Sequence, residues 1–406
     1  MEFFNKNANP QGNEDTIFKA AHAAKAAIDS GATDVINATI GTLCDENEQL
    51  VVFKSVFEPY DALSHPIKAR YAWDFSGNPD FQNTVASWVL DKEVSIPYCV
   101  CASMGGSGAV HIAMTSFADQ GDLVLLPQFA WPFYSWILAE HGLREGRYPL
   151  FNEKNEFDLT GFADTVKKAA KGQKRLLIVL NDPAHNPTGY SLSESEWEGF
   201  INILNDISKD LPLVVIQDVA YIDYQFDQNL GRKRFNSLNR ISDNILWTIA
   251  FSISKTMTSY GLRCGALLAL AQSQSLIDDC DKVLNHTAGT TWSSIPNAAM
   301  ENFVCVIRDH YDAFIEEKQY WLDLMKKRAE IFLNEAKRVG LELWPYKEGF
   351  FCLVKADSAS HTKAWQARLA AHHVFTVPAE EGLRVALCAL SCDHLKQLPA
   401  LILKDK

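Results

Sequence analysis

Apolar residues recur at helical spacing in several segments of the first half of the chain. In residues 15–30, Ile17, Ala20 and Ala24 fall on one helical face, and the following Gly31 is typical of a helix end. The same spacing, together with helix-start signals, predicts three more helices, which begin at Asn78–Pro79, after the GGSG segment at 105–108, and at Ser193, where Glu196 completes a capping box over 194–209.

Short apolar runs that do not alternate with polar residues predict buried strands, because a strand covered on both faces has no polar side. Such runs occupy 123–127, 175–182, 211–218 and 245–251. Helical segments separate several of these runs, and alternation of strand and helix predicts a mostly parallel sheet with helices on both faces. The predicted fold class is therefore α/β.

The pattern changes near residue 296, which predicts a domain boundary there. Beyond it, a long helical stretch, two strand-like runs, a helix and two more apolar runs occupy 297–338, 341–345, 350–355, 360–373, 374–378 and 383–390. We therefore expect three parts, namely a segment of residues 1–44 that packs on either domain, a large α/β domain of residues 45–295, and a smaller α+β domain of residues 296–406.

Composition and charge exclude several classes of protein. The 406 residues are 47% hydrophobic, which is enough for an extensive core, and 38 basic against 50 acidic side chains give a net charge of −12. An acidic chain lacks the basic face of a general nucleic-acid binder and is not attracted to anionic membranes. Residues 1–15 lack the apolar core of a secretory signal, and the runs at 245–251 and 265–271 are too short to cross a bilayer.

The cysteines of the chain point to a reducing compartment. There are nine, an odd number, and no two form a CxxC pair. Neither a disulfide framework nor a zinc ribbon is therefore suggested. We expect free thiols, no metal site and a cytoplasmic location.

Residues that carry chemistry follow three of the predicted strands. Asn186 lies in a turn-rich segment after the run at 175–182, Asp218 ends the next run, and Lys255 comes four residues after Phe251. Ligands of open α/β sheets bind at the carboxyl ends of the strands, so these side chains are expected to converge. The GGSG segment before a helix offers free N–H groups to a phosphate.

These side chains match the needs of one cofactor. Each of them alone is an ordinary loop or turn residue. Together, a lysine amine, a carboxylate, a phosphate cradle and arginines form the set that pyridoxal 5′-phosphate (PLP) requires. The glycine fingerprint of nicotinamide-dependent oxidoreductases is absent from the sequence.

Four motifs extend this interpretation, namely AHNPTG at 184–189, DVAY at 218–221, SISKTMTSYGLRCGAL at 252–267 and LRVALCAL at 383–390. In this order and at these spacings they resemble the motifs of class I aminotransferases, which belong to the fold-type I PLP-dependent enzymes together with the aspartate and aromatic aminotransferases. The resemblance covers roughly residues 35–395. It implies a large PLP-binding domain and a small C-terminal domain.

The resemblance implies catalytic roles for three residues. Lys255 would hold the cofactor as a Schiff base and act as a general base, and Asp218 would pair with the pyridine nitrogen. Tyr221, with Asn186, would hydrogen-bond the phenolic oxygen of the ring. The residues implied for the phosphate are Gly106, Ser107, Ser252, Ser254 and Arg263.

Further implied roles concern the substrate and a second subunit. Arg384 would clamp the α-carboxylate of the substrate bidentately, close to Asn186 and the backbone of Gly41. Tyr71 resembles the tyrosine that reaches the phosphate of the neighbouring subunit, which implies a homodimer. Phe129 would stack on the cofactor ring, although Trp131, Phe133 and Tyr134 are close enough in sequence to take that place.

The segment that sets substrate choice departs from the aspartate-specific pattern. Relatives that take aspartate carry an arginine there, whereas residues 288–298 contain none and have Thr290 and Thr291 near that place. Trp131, Tyr134 and Trp292 would form an apolar wall for an aromatic or large aliphatic side chain, or else belong to the core.

The sequence therefore predicts a PLP-dependent aminotransferase with ping-pong kinetics, acting on an amino acid and a 2-oxo acid. A C–S β-lyase on the same fold would show the same Lys255, Asp218 and Arg384, so this alternative stays open. A non-catalytic binding protein on this fold is a further alternative, against which the intact set of site residues argues.

Overall fold

The computed structural model describes residues 3–9 and 15–406, with the backbone alone at 228–230. Part of the segment judged to lack a secretory signal, residues 1, 2 and 10–14, lies outside the described residues. The α-helices are α1 Thr16–Asp29, α2 Lys54–Ala62, α3 His65–Ala69, α4 Pro79–Val89, α5 Gly105–Phe117, α6 Pro132–Glu140, α7 Leu159–Ala170, α8 Glu194–Ile207, α9 Gln228–Lys233, α10 Ile253–Thr256, α11 Gln274–Trp292, α12 Asn297–Asp309, α13 Tyr311–Val339, α14 Ala359–Ala371 and α15 Cys392–Lys404. The strands are β1 Ile36–Asn37, β2 Tyr98–Met104, β3 Leu123–Pro127, β4 Arg144–Tyr148, β5 Leu176–Asn181, β6 Leu213–Asp218, β7 Ile245–Ser252, β8 Cys264–Leu270, β9 Phe351–Lys355, β10 Val374–Phe375, β11 Val377–Pro378 and β12 Gly382–Ala386.

A seven-stranded sheet forms the centre of the molecule, in the order β2-β8-β7-β6-β5-β3-β4. Strands β7, β6, β5, β3 and β4 are parallel to one another, and β8 is antiparallel to both of its neighbours. Alternate side chains of β5 enter two different apolar clusters, with Leu176, Ile178 and Leu180 in one and Leu177 and Val179 in the other. The sheet is therefore buried on both faces, and the predicted α/β fold class is confirmed.

The predicted strands and helices of this region are present, but three strands escaped prediction. The run at 211–218 forms β6, the run at 245–251 forms β7, and Ser193 and Glu196 make the expected capping box at the start of α8. Strands β2 and β4 at the two edges of the sheet, and the antiparallel β8, were not predicted. Asn78 occupies the N-cap position of α4, but its side chain makes no capping hydrogen bond.

The C-terminal part has its own small antiparallel sheet, in the order β11-β12-β9. Its helical start departs from prediction, because the stretch predicted as one helix breaks at His310, which separates α12 from α13. The strand-like run at 341–345 forms a single bridge, between Leu343 and Val354. Helix α12 packs on α2, α3 and α4, while α1 packs beside β10 and β11.

Strand β1 joins the N-terminal segment to the C-terminal part of the chain. Ile36 and Asn37 pair in parallel with Val374 and Phe375 of β10. All nine cysteines are free thiols, as expected. None of the helices in the described part of the chain combines the length and the apolarity that a bilayer crossing requires.

Candidate active site

A cavity opens at the carboxyl ends of β5, β6 and β7. The register of the sheet sets Asn181, Asp218 and Ala250 side by side at this edge, so the segments that follow the three strands start from one level. The residues that line the cavity are Gly106, Ser107, Trp131, Tyr134, Asn181, Asn186, Asp218, Ala220, Tyr221, Ser252, Lys255 and Arg263. The convergence predicted for Asn186, Asp218 and Lys255 is thus present in the structure.

Asp218 is buried and Lys255 is half-buried in this cavity, and each shifts the pKa of the other. Burial lowers the pKa of the Lys255 ammonium, and Arg263 lowers it further, while Asp218 acts in the opposite direction. Burial raises the pKa of Asp218, and hydrogen bonds from Tyr134 and the Ala220 N–H oppose that rise. Desolvation dominates at both groups, so an opposite charge stabilises the ionised form of either group, and a hydrogen-bond donor stabilises the Asp218 carboxylate.

The start of helix α6 contributes two aromatic side chains to the cavity, and one of them contacts Asp218. Trp131 is its N-cap residue, and Tyr134 comes one turn later. The Tyr134 hydroxyl donates a hydrogen bond of 2.6 Å to Asp218 Oδ2, and the Ala220 N–H donates one of 3.0 Å to Oδ1. Burial beside Asp218 holds the pKa of Tyr134 well above its ordinary value, so the phenol keeps its proton for this bond.

Asn181, the last residue of β5, organises the turn that carries Asn186. Its Nδ2 donates to the backbone oxygen of Asp218 at 2.9 Å, and its Oδ1 accepts from the Asn186 N–H at 2.7 Å. Asn186 Oδ1 in turn accepts a hydrogen bond of 3.4 Å from Arg384 Nη1. A single buried amide thus fixes two site segments to each other, and the sequence analysis did not single it out.

The start of α5 is built to receive an anion. Its N-cap, Met104, makes no side-chain capping hydrogen bond, so the first N–H groups of the helix remain available. Gly105 has a φ of +67°, and a Cβ there would lie 2.5 Å from Arg263 Nη2. Glycine is required at this position because it alone lets the guanidinium lie close to the helix start. Ser107 and Ser252 add hydroxyl groups to the same end of the cavity.

Arg263 is held close to this helix start by its own neighbours. Its Nη1 donates to the Tyr260 backbone oxygen at 2.7 Å and to Ser254 Oγ at 3.4 Å, and its Nη2 donates to the Met104 backbone oxygen at 3.3 Å. Ser254 is buried and is not among the lining residues. Its place in the structure is therefore beside Arg263, which it helps to orient.

Arg384 reaches the site from β12 of the small sheet. Its Nη2 donates to the Thr39 backbone oxygen at 2.8 Å, and its guanidinium carbon lies 4.3 Å from the ring centre of Phe351. Gly41 lies against the same Phe351 ring. The Arg384 Nε is buried without a hydrogen-bond partner, and burial lowers the pKa of this guanidinium to about 10. An anion bound at that nitrogen would supply the missing hydrogen-bond partner and would favour the charged form of the guanidinium.

A buried ionic cluster supports the segment that carries Lys255. Asp223 Oδ2 accepts a hydrogen bond of 2.7 Å from Thr256, the residue next to Lys255. Asp223 Oδ1 accepts hydrogen bonds of 2.9 Å from Lys318 and from Arg232. Burial opposes the charge of Asp223, but Lys318 and Arg232 outweigh it and hold its pKa below the ordinary value. The cluster ties α13 to the lysine-bearing segment.

Phe129 and Trp292 do not line the cavity, and Tyr71, which the resemblance assigns to the site of the partner subunit, lies outside it as well. Phe129 is 1% exposed and packs on Trp344, with ring centres 4.8 Å apart, so Trp131 lines the cavity in its stead. Tyr71 is 86% exposed. Trp292, at the end of α11, has a buried indole N–H without a partner and is not a lining residue. Packing in three dimensions, which sequence spacing does not record, decides among these neighbouring aromatics.

Comparison with known proteins agrees with this geometry. The family profile described as aminotransferase class I and II matches residues 33–401. A cytoplasmic aspartate aminotransferase of Dictyostelium discoideum is 25% identical over 309 residues, which cover 74% of this chain and 67% of that protein.

Solved structures give the same result for the fold. An aminotransferase of Anaerococcus prevotii superposes with a TM-score of 0.92 at 29% identity, covering 99% of this chain and 98% of that one. An aromatic-amino-acid aminotransferase of Burkholderia pseudomallei, covalently bound to pyridoxal phosphate, superposes with a TM-score of 0.79 at 18% identity over the whole of both chains. With nearly its whole length matched, the chain belongs to the class I and II aminotransferases, a family of PLP-dependent enzymes.

Proposed function

We propose that this aminotransferase moves an α-amino group between an amino acid with an aromatic or large apolar side chain and a 2-oxo acid, in two alternating half-reactions. The observation that carries the proposal is that Lys255 and the buried Asp218 line one cavity together with Gly106 and Ser107, the first residues of α5. The two half-reactions share one amine, that of Lys255, which must be free to act in each.

The residues present fit PLP. The first turn of α5, Ser107, Ser252 and Arg263 offer donors to a phosphate, and Gly105 lets the Arg263 guanidinium lie close to the helix start. Asp218 offers a carboxylate to a cationic ring nitrogen, and Lys255 offers an amine to an aldehyde. When bound, the cofactor supplies an aldehyde carbon that an amine can join and a ring that accepts electrons from the substrate.

Lys255 acts on the proton at the α-carbon of the substrate. Because burial lowers the pKa of Lys255, a larger fraction of its amine is neutral near pH 7 than in water. A neutral Nζ can take the α-proton from the substrate. It can then deliver the proton to the carbon that carries the amino group at the end of the half-reaction. Asp218 remains a carboxylate when a cation lies opposite it, since that charge offsets the cost of its burial.

Arg384 would bind the carboxylate of the substrate. Its unpartnered Nε and the adjacent Nη group offer a bidentate pair of donors, and its other contacts to Thr39 and Asn186 hold the plane of the guanidinium. Burial strengthens this pairing because water does not screen it. Asn186 thus connects Arg384 of the small sheet, which would bind the carboxylate, to the large sheet, which carries the catalytic groups.

Substrate preference is proposed from what faces the cavity. Trp131 lines it and offers an apolar surface. Residues 288–298 supply no arginine for a second carboxylate, and the hydroxyls of Thr290 and Thr291 bond to carbonyl groups of their own helix. Residues 288–298 therefore offer no cationic partner to the second carboxylate of a dicarboxylic amino acid.

A homodimer is part of the proposal. Tyr71 and Trp73 are 86% and 84% exposed, and Phe75 beside them is half-exposed. Three exposed aromatic rings within five residues are typical of an interface. Tyr71 would contribute its hydroxyl to the phosphate of the partner subunit.

We also infer the division of the chain and its location. The units 45–295 and 296–406 would each supply part of the site, Lys255 from the first and Arg384 from the second. Nine free thiols and the cytoplasmic relative from Dictyostelium discoideum support a cytoplasmic location.

The test is a panel of amino acids assayed with the PLP-loaded enzyme, with and without a 2-oxo acid acceptor, with pyruvate and 2-oxoglutarate used in parallel. We expect turnover only with the acceptor, parallel double-reciprocal lines, and a kcat/KM for phenylalanine at least about tenfold above that for aspartate. A preference for aspartate would overturn the substrate assignment and leave the transfer intact. Release of ammonia and pyruvate from cystathionine without an acceptor would overturn the transfer itself.

A further inference from the structure

Two histidines that take no part in the proposed transfer face each other across α5 and α6. The Nε2 atoms of His111 and His141 lie 3.0 Å apart, and their ring centres lie 4.9 Å apart. Both side chains are half-buried, whereas the neighbouring Glu140 is exposed. One nitrogen from each ring and one carboxylate oxygen of Glu140 all lie within 4.8 Å of one another.

The backbone holds both histidines firmly. His111 lies in the middle of α5, and His141 directly follows α6, where the chain closes the helix. Gly142 has a φ of +65°, and the Leu143 N–H donates to the Leu138 backbone oxygen at 2.8 Å. This left-handed helix end requires glycine and leaves the His141 ring directed at α5. Two ligands on rigid elements need little rearrangement to bind an ion.

We propose that His111, His141 and Glu140 bind one divalent transition-metal ion of the zinc type, with water as the fourth ligand. Two imidazole nitrogens and one carboxylate suit Zn²⁺, whereas Mg²⁺ and Ca²⁺ prefer oxygen ligands alone. Tetrahedral zinc with Zn–N bonds of about 2.0 Å separates its nitrogens by about 3.3 Å, so the two rings need to open by only a few tenths of an ångström. The exposed Glu140 carboxylate can turn to provide the third ligand.

No metal site is predicted from the sequence, because the chain has no CxxC pair of cysteines. The ligands here are 30 residues apart in sequence and meet only because α5 packs on α6. Among residues 3–9 and 15–406, this is the one group of three potential ligand side chains whose atoms come this close.

Metal binding would join two helices whose first residues line the cofactor cavity. Gly106 and Ser107 begin α5, and Trp131 and Tyr134 begin α6. An ion that cross-links the two helices binds the folded state and not the unfolded chain, so it raises thermal stability with increasing concentration. The site therefore lies outside the cavity but stabilises two of its walls.

The experiment is a titration of the chelator-treated, PLP-loaded enzyme with Zn²⁺ by calorimetry, and with Co²⁺ by visible absorption. We expect one ion per chain, the intense visible bands of tetrahedral Co²⁺, and a melting temperature that rises with Zn²⁺. His111→Gln, His141→Gln and Glu140→Gln should each weaken Zn²⁺ binding by roughly tenfold or more. His65→Gln, at an exposed histidine of α3, is the matched control and should bind as the parent does.

Two results would overturn the proposal. The first is Zn²⁺ affinity that is the same in the parent and in His141→Gln, because thiols elsewhere would then be the ligands. The second is the absence of Zn²⁺ binding, which would leave the 3.0 Å contact as a hydrogen bond between two neutral rings. Since Glu140 is exposed and His141 follows the helix end, at least these two variants should fold, and their cofactor absorbance checks that they do.

Discussion

Asp218 is surrounded by groups that oppose the effect of its burial. Tyr134 and the Ala220 N–H hold the two carboxylate oxygens in place, and Lys255 lies in the same cavity. The geometry leaves the carboxylate ready to pair with a cation, which is the role the resemblance implies for it. Tyr134 is then a positioning residue, since it acts through Asp218.

Replacement of Asp218 tests this electrostatic role. Asp218→Ala should retain the cofactor but lose on the order of 10²–10³-fold in kcat, because the ring nitrogen loses the charge that keeps it protonated. Steady-state kinetics of the loaded variant measure the loss. Tyr134→Phe removes only the hydrogen bond of 2.6 Å and should lose about tenfold, with a shifted pH profile. Near-normal turnover in Asp218→Ala would place the essential carboxylate elsewhere.

Lys255 is the residue on which the chemistry depends. In Lys255→Ala the amine is gone, so steady-state turnover should fall to background. Borohydride treatment of the parent should leave the mass of the reduced cofactor on the peptide that contains Lys255, and the variant should show none. Lys318→Ala is an unsuitable control, because that amine is buried in the Asp223 cluster. Lys347→Ala, half-exposed and outside the cavity, should keep the adduct.

Residue identity alone predicted some of the site and not the rest. Lys255 and Asp218 come after predicted strands, and the motif resemblance adds Arg263, so all three were predicted, and they line one cavity. Asn181 and Tyr134 take part through tertiary hydrogen bonds, to Asn186 and to Asp218, and no short motif records such pairs.

Among the elements, α8 offers a direct test of how its start is stabilised. Glu196 accepts hydrogen bonds from the Ser193 N–H at 2.6 Å and from the Phe157 N–H at 2.7 Å. Burial opposes ionisation of Glu196, but these bonds and the Tyr190 hydroxyl outweigh it and lower its pKa to about 2. A carboxyl whose pKa is depressed in the folded state stabilises that state at any pH above its unfolded pKa.

The pH dependence of this contribution has a definite sign. Glu196→Gln should lower the free energy of unfolding by about 2 kcal/mol at pH 7. The difference from the parent should shrink as the pH falls from about 5 towards 2, because the parent carboxyl then binds its proton. Urea unfolding across this range measures it. Glu194→Gln, exposed in the same first turn, should cost far less, and an equal cost would contradict the buried hydrogen bonds as the cause.

Strand burial explains which elements could be predicted. The central strands β5 and β6 are buried at every position, so their sequences read as continuous apolar runs. Edge strand β4, with the sequence REGRY, is exposed at most positions and resembles a loop. The helical pattern of 297–338 did not reveal its break, because apolar spacing continues across His310 while the backbone there leaves the helical conformation.

For the whole molecule, the exposed Tyr71 segment makes a prediction about subunit exchange. Tyr71→Ala should weaken cofactor binding roughly tenfold, through loss of a phosphate contact, if Tyr71 serves the partner's site. Mixing Tyr71→Ala with Lys255→Ala, under conditions in which the subunits exchange, should restore transaminase activity at a limiting PLP concentration. In the mixed dimer one site receives an intact Tyr71 from the Lys255→Ala chain and keeps its own Lys255.

The mixing experiment has an internal control. Phe18→Ala changes an exposed aromatic residue of α1 and should be as active as the parent. Mixing it with Lys255→Ala should give no gain in activity. A monomer in sedimentation, or a mixture no more active than its parts, would contradict a site shared between subunits.

The pairing of β1 with β10 has a consequence for the order in which a nascent chain becomes able to bind the cofactor and the substrate. All seven strands of the large sheet lie between Tyr98 and Leu270, so the part that would hold PLP can assemble while the ribosome is still adding the remaining residues. Ile36 finds Val374, and Arg384 joins Asn186, only near the end of translation. Chains whose translation is stalled after the large sheet should therefore bind PLP before they can recognise an amino acid.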